Sequence, residues 1–128
     1  MTRLFILLIL ALLAPLSAAR AGDESALIMV QSQGCPYCAK WDREIAPIYE
    51  KTDEAGRYPL KRIDIAEARR DPALAQALAT PPYYTPTFIL VDHGREVGRI
   101  IGYSNELSFW GLLDIEKRKL AALPAPGN

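Results

Sequence analysis

The 128 residues carry 15 basic and 15 acidic side chains and are half hydrophobic, a charge balance that excludes an electrostatic footprint for nucleic acid. The chain has two cysteines and one histidine, too few for a four-ligand structural zinc site of cysteine and histidine.

In chain order, Arg3 is followed by the apolar run Leu4 to Leu13 and by small residues ending in Ala19-Arg20-Ala21. A basic start, an apolar stretch and an A-x-A site read as a secretory signal peptide over residues 1–21. An uncleaved membrane anchor is the competing reading, but a bilayer core needs about 20 apolar residues and this run is broken at Pro15. Residues 22–128 then form one domain, with no room for a second. Its formal charge is −2, from 13 basic and 15 acidic side chains. Both cysteines lie in it, and export to the periplasm permits a disulfide.

Ala26-Leu27-Ile28-Met29-Val30-Gln31 is a short apolar run suited to a buried central strand. Ser32-Gln33-Gly34 breaks it. From Cys35-Pro36 onward, Cys38, Trp41, Ile45, Ile48 and Tyr49 recur at helical spacing, which predicts a helix opening at or beside Cys35 with Pro36 in its first turn. Trp41 falls on the apolar stripe and is read as core. Pro47 should kink the helix. Asp53 to Pro59 reads as a polar turn, Leu60 to Ile65 as a second strand, and Asp71-Pro72 as the cap and first residue of a second helix that ends before Pro81-Pro82. Thr87 to Val91 and Glu96 to Ile101, joined through Asp92-His93-Gly94-Arg95, form a hairpin. Gly102 to Asn105 closes it, and Leu107 to Leu123 is a terminal helix. The order is β-α-β-α-β-β-α, an α/β fold with a mixed four-stranded sheet in which the first two strands are parallel through a right-handed crossover.

Chemistry concentrates in Cys35-Pro36-Tyr37-Cys38. Free N–H groups and the positive dipole end of a helix favour an anion at its first turn, so Cys35 is the expected attacking thiolate. Cys38, a turn further in, should face the body of the protein and resolve the mixed disulfide. A purely structural disulfide is the first alternative, but so short a loop contributes only roughly 2 kcal/mol on the chain-entropy argument. Metal is the second. Even with His93 the ligands number three, and a Cu(I) site made by two thiolates remains conceivable.

These residues resemble the thioredoxin-like superfamily. The Cys-Pro-Tyr-Cys tetrapeptide resembles a glutaredoxin active site, and Thr85-Pro86-Thr87, about 50 residues on, resembles the thioredoxin segment whose proline is cis. The resemblance implies catalytic roles for Cys35 and Cys38, which close a disulfide between them. It also implies a cis Thr85–Pro86 bond and a substrate-binding surface of Pro36, Tyr37, Thr85 and Pro86. Tyr83 and Tyr84 either join that surface or pack beneath it. It implies no cofactor and no metal. Two features depart from the family: Gln33-Gly34 replaces the usual Trp-Cys entry, and Ala26 to Gln31 lacks the carboxylate that assists the second cysteine.

A helical insertion of the DsbA type has no room in the roughly 20 residues between Ile65 and Pro86. Over the whole chain the sequence is most similar to SoxS-like periplasmic thioredoxins of bacterial sulfur oxidation. The implied function is a monomeric periplasmic thiol-disulfide oxidoreductase acting as a reductase. It would draw electrons from a membrane thiol transporter of the DsbD or CcdA type and pass them to a partner protein disulfide, such as that of a sulfur-oxidation carrier protein. A Cu(I)-binding or regulatory adaptor module, and a glutathione-dependent glutaredoxin, are the alternatives.

Overall fold

The computed structural model describes residues 24–124, so the leader expected over residues 1–21 lies outside the described residues. Strand β1, Ala26–Gln31, has its first five residues buried and sits inside a four-stranded sheet of order β2-β1-β3-β4. Strand β2, Leu60–Asp64, runs parallel to β1. Strand β3, Thr87–Asp92, runs antiparallel to β1 and to β4, Arg95–Ile101. The mixed sheet is the one the sequence predicts. β1 starts beside the β3–β4 turn, where the Gly94 amide donates to the Glu24 carbonyl at 2.9 Å, and runs toward the cysteines at the other end.

Helix α1, Pro36–Glu44, begins directly after Cys35, and Pro36 occupies its first turn, where a missing N–H costs nothing. The pattern breaks at Ile45 and resumes as α2, Ala46–Tyr49, because Pro47 cannot donate to the carbonyl one turn back. Two further short helices depart from the expected order. Asp53–Arg57 is α3, not a polar turn: the Thr52 side chain caps it by accepting from the Ala55 amide, and Asp53 and Glu54 lie in its first turn. Ile65 opens α4, Ile65–Ala68, and does not extend β2, because the Asp64 side chain captures the Ala66 amide and turns the chain. Helix α5, Pro72–Ala77, starts as expected from an Asp71 cap that accepts from the Ala73 and Leu74 amides. Helix α6, Glu106–Ala121, is capped by Asn105.

The two-residue period of the strands sends alternate side chains to opposite faces. Leu27, Met29, Phe88 and Leu90 meet Cys38, Trp41, Ile45, Tyr49, Phe109 and Leu113 on the α1–α6 face. Ala26, Ile28, Val30, Ile89 and Val91 meet Ala68, Ile65, Leu74 and Leu78 on the α4–α5 face. The first face is aromatic: Trp41 lies 4.9 Å from Phe88 and 5.6 Å from Phe109, and Phe88 lies 5.1 Å from Phe109, between ring centroids. Such pairs add about 0.5–1.5 kcal/mol each beyond the area they bury. Tyr49 belongs to the same cluster and donates its hydroxyl to the Tyr58 carbonyl at 2.7 Å; burial pushes its phenol pKa well above the ordinary tyrosine range. Gly98 lets α6 approach β4 closely, since a Cβ there would stand 2.8 Å from the Glu116 Cβ.

Candidate functional site

At the end of β1 the chain turns through Ser32-Gln33-Gly34, and Gly34 takes φ +74°, a conformation that glycine adopts without steric cost. The Cys35 amide closes the turn on the Ser32 carbonyl at 3.3 Å. Cys35 is then the N-cap of α1, and its sulfur accepts the Cys38 amide at 3.2 Å. A sulfur held on a free amide of the first turn is where negative charge is best stabilised. Cys35 and Cys38 are joined in a disulfide, with 5.3 Å between their Cα atoms. Cys35 is half-buried, whereas Cys38 is 5% exposed and belongs to the aromatic cluster. Attack from solvent therefore reaches Cys35 first.

The other half of the site arrives with β3. Val30 pairs with Thr87, which brings Thr85 and Pro86 to the sheet end that carries the cysteine turn. The Thr85–Pro86 peptide is cis, as the resemblance implies. Its surroundings fix it at several points. Pro86 is buried, and its carbonyl accepts the Gly102 amide at 2.7 Å. The Ser32 and Thr85 hydroxyls lie 2.9 Å apart, joining the two loops directly, and Thr87 donates to the Tyr84 carbonyl at 2.7 Å. Pro36 and Tyr37 are exposed at the start of α1, while Thr85 is half-buried. Tyr83 and Tyr84 are exposed, so they belong to the surface and do not pack beneath it. Trp41 is fully buried and is core. Its indole N–H has no hydrogen-bond partner among the described residues, which costs about 1–3 kcal/mol. His93 sits in the β3–β4 turn, at the opposite end of the sheet, and is no third ligand to the two thiols.

Sequence reasoning did not find the groups on the far side of the disulfide. A cleft of about 550 Å³ is lined by Gln31, Gly34, Cys35, Cys38, Asp42 and Asp64 among others. Arg62 from β2 spans its edge, donating to Asp42 Oδ1 at 2.7 Å, Gln31 Oε1 at 3.2 Å and Met29 Sδ at 3.3 Å. Its guanidinium also stands 5.7 Å from the Trp41 ring centre. β1 carries no carboxylate, so Asp42 and Asp64 are the acidic groups sharing this cleft with Cys38. Asp42 was recoverable in principle, being four residues beyond Cys38 and hence on the same helix face. Asp64 arrives from a neighbouring strand and has no local signal.

The C-terminal half of α1 is tied to the exit of β4. Tyr103 donates to Glu44 Oε2 at 2.6 Å, and the Lys40 ammonium lies 5.5 Å from the Tyr103 ring centre. Burial and the hydrogen bond to Glu44 push the Tyr103 phenol pKa well above the ordinary range.

Among the described residues, no helix is long and apolar enough to cross a membrane. No curated protein matches the chain. Among solved structures it is similar to the periplasmic thioredoxin SoxS from Paracoccus pantotrophus in its reduced form. Identity is 41%, the TM-score 0.67, and the match covers 76% of this chain and 99% of that one. It also resembles, at the level of fold, a thioredoxin from Malassezia sympodialis, at 19% identity and TM-score 0.51, covering 74% of this chain and 77% of that one. The oxidised thioredoxin of Plasmodium falciparum is likewise 19% identical with a TM-score of 0.51, covering 80% of this chain and 86% of that one. A family model described as a thioredoxin-like domain matches residues 14–115. With the paired cysteines, the cis proline and this match across most of its length, the chain belongs to the thioredoxin-like family.

Proposed function

We propose that this protein is a periplasmic thiol-disulfide oxidoreductase that works as a reductase of protein disulfides. One observation carries the reading: Cys35 offers a half-exposed sulfur to the first-turn amide of α1 while Cys38 waits buried behind it. In the reduced protein the Cys35 thiolate attacks one sulfur of a substrate disulfide. The substrate S–S bond breaks, the departing thiolate takes a proton from solvent, and a mixed disulfide to Cys35 remains. Cys38 then gives up its proton, for which the cleft it lines provides a route to water. Its thiolate attacks the Cys35 sulfur and expels the second substrate thiolate, which is protonated in turn. The substrate has gained two electrons and two protons, and the protein is left with the Cys35–Cys38 disulfide. A membrane dithiol carrier of the DsbD or CcdA type returns those electrons and protons.

Pro36, Tyr37, Thr85 and Pro86 form the substrate-binding surface around this chemistry. The signal-peptide pattern over residues 1–21 and the likeness to a periplasmic thioredoxin support export. The resemblance in sequence to SoxS-like thioredoxins of sulfur oxidation favours a sulfur-oxidation carrier protein as the partner. The direct test is reduction of insulin by the chain from residue 22, with dithiothreitol as electron source. Cys35→Ser should abolish turnover, whereas Cys38→Ser, reduced beforehand and then freed of dithiothreitol, should still attack and accumulate a covalent adduct visible by non-reducing mass spectrometry. Full activity in Cys35→Ser would remove the mechanism.

A further inference from the structure

Tyr83 and Tyr84 are 64% and 67% exposed, yet Pro82 directly before them and Pro86, just beyond the half-buried Thr85, are buried. Between these two seated prolines, two adjacent aromatic rings stand in water next to the redox site. A segment kept there without packing has its position set by something else.

Arg69, which caps the C-terminal end of α4, supplies part of that constraint. Its Nε donates to the Pro82 carbonyl at 2.8 Å, its Nη2 to the Tyr83 carbonyl at 3.4 Å, and its guanidinium lies 5.3 Å from the Tyr83 ring centre. One planar group thus fixes both the backbone and the ring of the exposed segment. The start of the same loop is latched separately: Arg99 donates to the Thr80 carbonyl at 2.7 Å, and Glu96 accepts the Ala79 amide at 2.8 Å. Behind the loop lies a cavity of about 110 Å³ lined by Ala68, Arg69, Leu78, Thr80 and Pro81 among others. Polar latches therefore do the positioning that apolar packing does elsewhere. The Ser32–Thr85 hydroxyl pair then relates the loop to the turn carrying Cys35.

We propose that Arg69 is a positioning residue for the recognition of protein disulfides, holding Tyr83 and Tyr84 as an aromatic ledge that grips the polypeptide beside the partner's disulfide. The inference rests on the oxidoreductase reading above and deepens it. Tyrosine gives large contact area with few rotors to immobilise, and a ring stacked on one face by a guanidinium keeps the other face for a ligand. Pro36, Tyr37, Tyr83, Tyr84 and Thr85 carry no charge, so the ledge suits an extended apolar or aromatic stretch. A small disulfide reaches Cys35 without a polypeptide to lay across the ledge, and that difference makes the role measurable.

The experiment compares steady-state reduction of insulin with that of bis(2-hydroxyethyl) disulfide, dithiothreitol supplying electrons to both. In Arg69→Gln the ratio of the insulin KM to the small-disulfide KM should rise about ten-fold, with the insulin kcat within about two-fold of the parent. Arg69→Lys should fall between, because an ammonium replaces a planar fork that reaches two carbonyls and a ring. Tyr83→Ala, a surface change that leaves the fold intact, should reproduce the Gln variant. An unchanged ratio, or equal loss on both substrates, would overturn the positioning role while leaving the oxidoreductase reading standing. A parent chain inert toward both disulfides would remove that reading, and the role of Arg69 with it.

Discussion

On the α1–α6 face of the sheet, Trp41, Phe88 and Phe109 meet ring against ring and draw Cys38 into their cluster. On the α4–α5 face, Val30, Ile89, Val91 and their aliphatic neighbours are covered by helices of four and six residues. The segment leaving that second face, Ala79 to Tyr84, is fixed by Arg69, Glu96, Arg99 and Thr87 through hydrogen bonds to its backbone. The Cys38 sulfur is therefore rooted in close packing, where displacement disrupts many contacts at once. The tyrosine loop hangs on a few directional bonds. The fixed relation between the two sulfurs is thus shared among many contacts, whereas the place of the loop rests on each latch separately.

The hardest test of this contrast is Phe109→Ala, which opens a hole between Trp41 and Phe88. It should cost about 3–5 kcal/mol, read from the urea midpoint, and the Trp41 emission should shift as its environment loosens. A loss near 1 kcal/mol would mean that the aromatic face is no better packed than the other. Asp71→Ala probes the aliphatic side by freeing the Ala73 and Leu74 amides at the start of α5. About 1 kcal/mol should be lost, with faster amide hydrogen exchange confined to α5 and the loop behind it; exchange spreading into α1 would show that the two faces are not separable. The smallest effect concerns the link between α6 and α3, where Lys117 donates to Glu54 at 2.6 Å. That hydrogen bond, first among the causes, holds the Glu54 carboxyl below its ordinary value of 4.5. A carboxylate with a lowered folded pKa stabilises the protein above its unfolded value and loses that contribution as pH falls through the folded one. Lys117→Met should thus cost roughly 0.5 kcal/mol at neutral pH, and the gap from the parent should close below the ordinary carboxylate range. A gap independent of pH would mean that the lysine acts through packing alone.

What the sequence made legible follows the range of the interactions involved. β1 could be bounded to the residue because its apolar run is flanked by Ser25 and Ser32, and the α1 start because Cys35-Pro36 carries its own cap geometry. α3 and α4 escaped a search for apolar periodicity because neither is long enough to display one. Their true signals were side-chain caps at Thr52 and Asp64, which polar turns also contain. In the site, Cys35, Cys38 and Pro86 were visible as motifs. The exposure of Tyr83 and Tyr84 was not, since it depends on where Pro82 and Pro86 are seated. Arg62 and Arg69 were invisible for the same reason: each acts on a segment distant in sequence, Met29 and Gln31 for one and Pro82 and Tyr83 for the other.

The direction of β1 has a practical outcome. Glu24 lies by the β3–β4 turn, and the six residues of β1 carry the chain about 20 Å before the redox end is reached. Anything joined ahead of Glu24, whether a tag, a bead or a lipid tether, departs from the pole opposite the sulfurs. A copy immobilised that way would present its reactive end outward, ready to fish for partners while anchored.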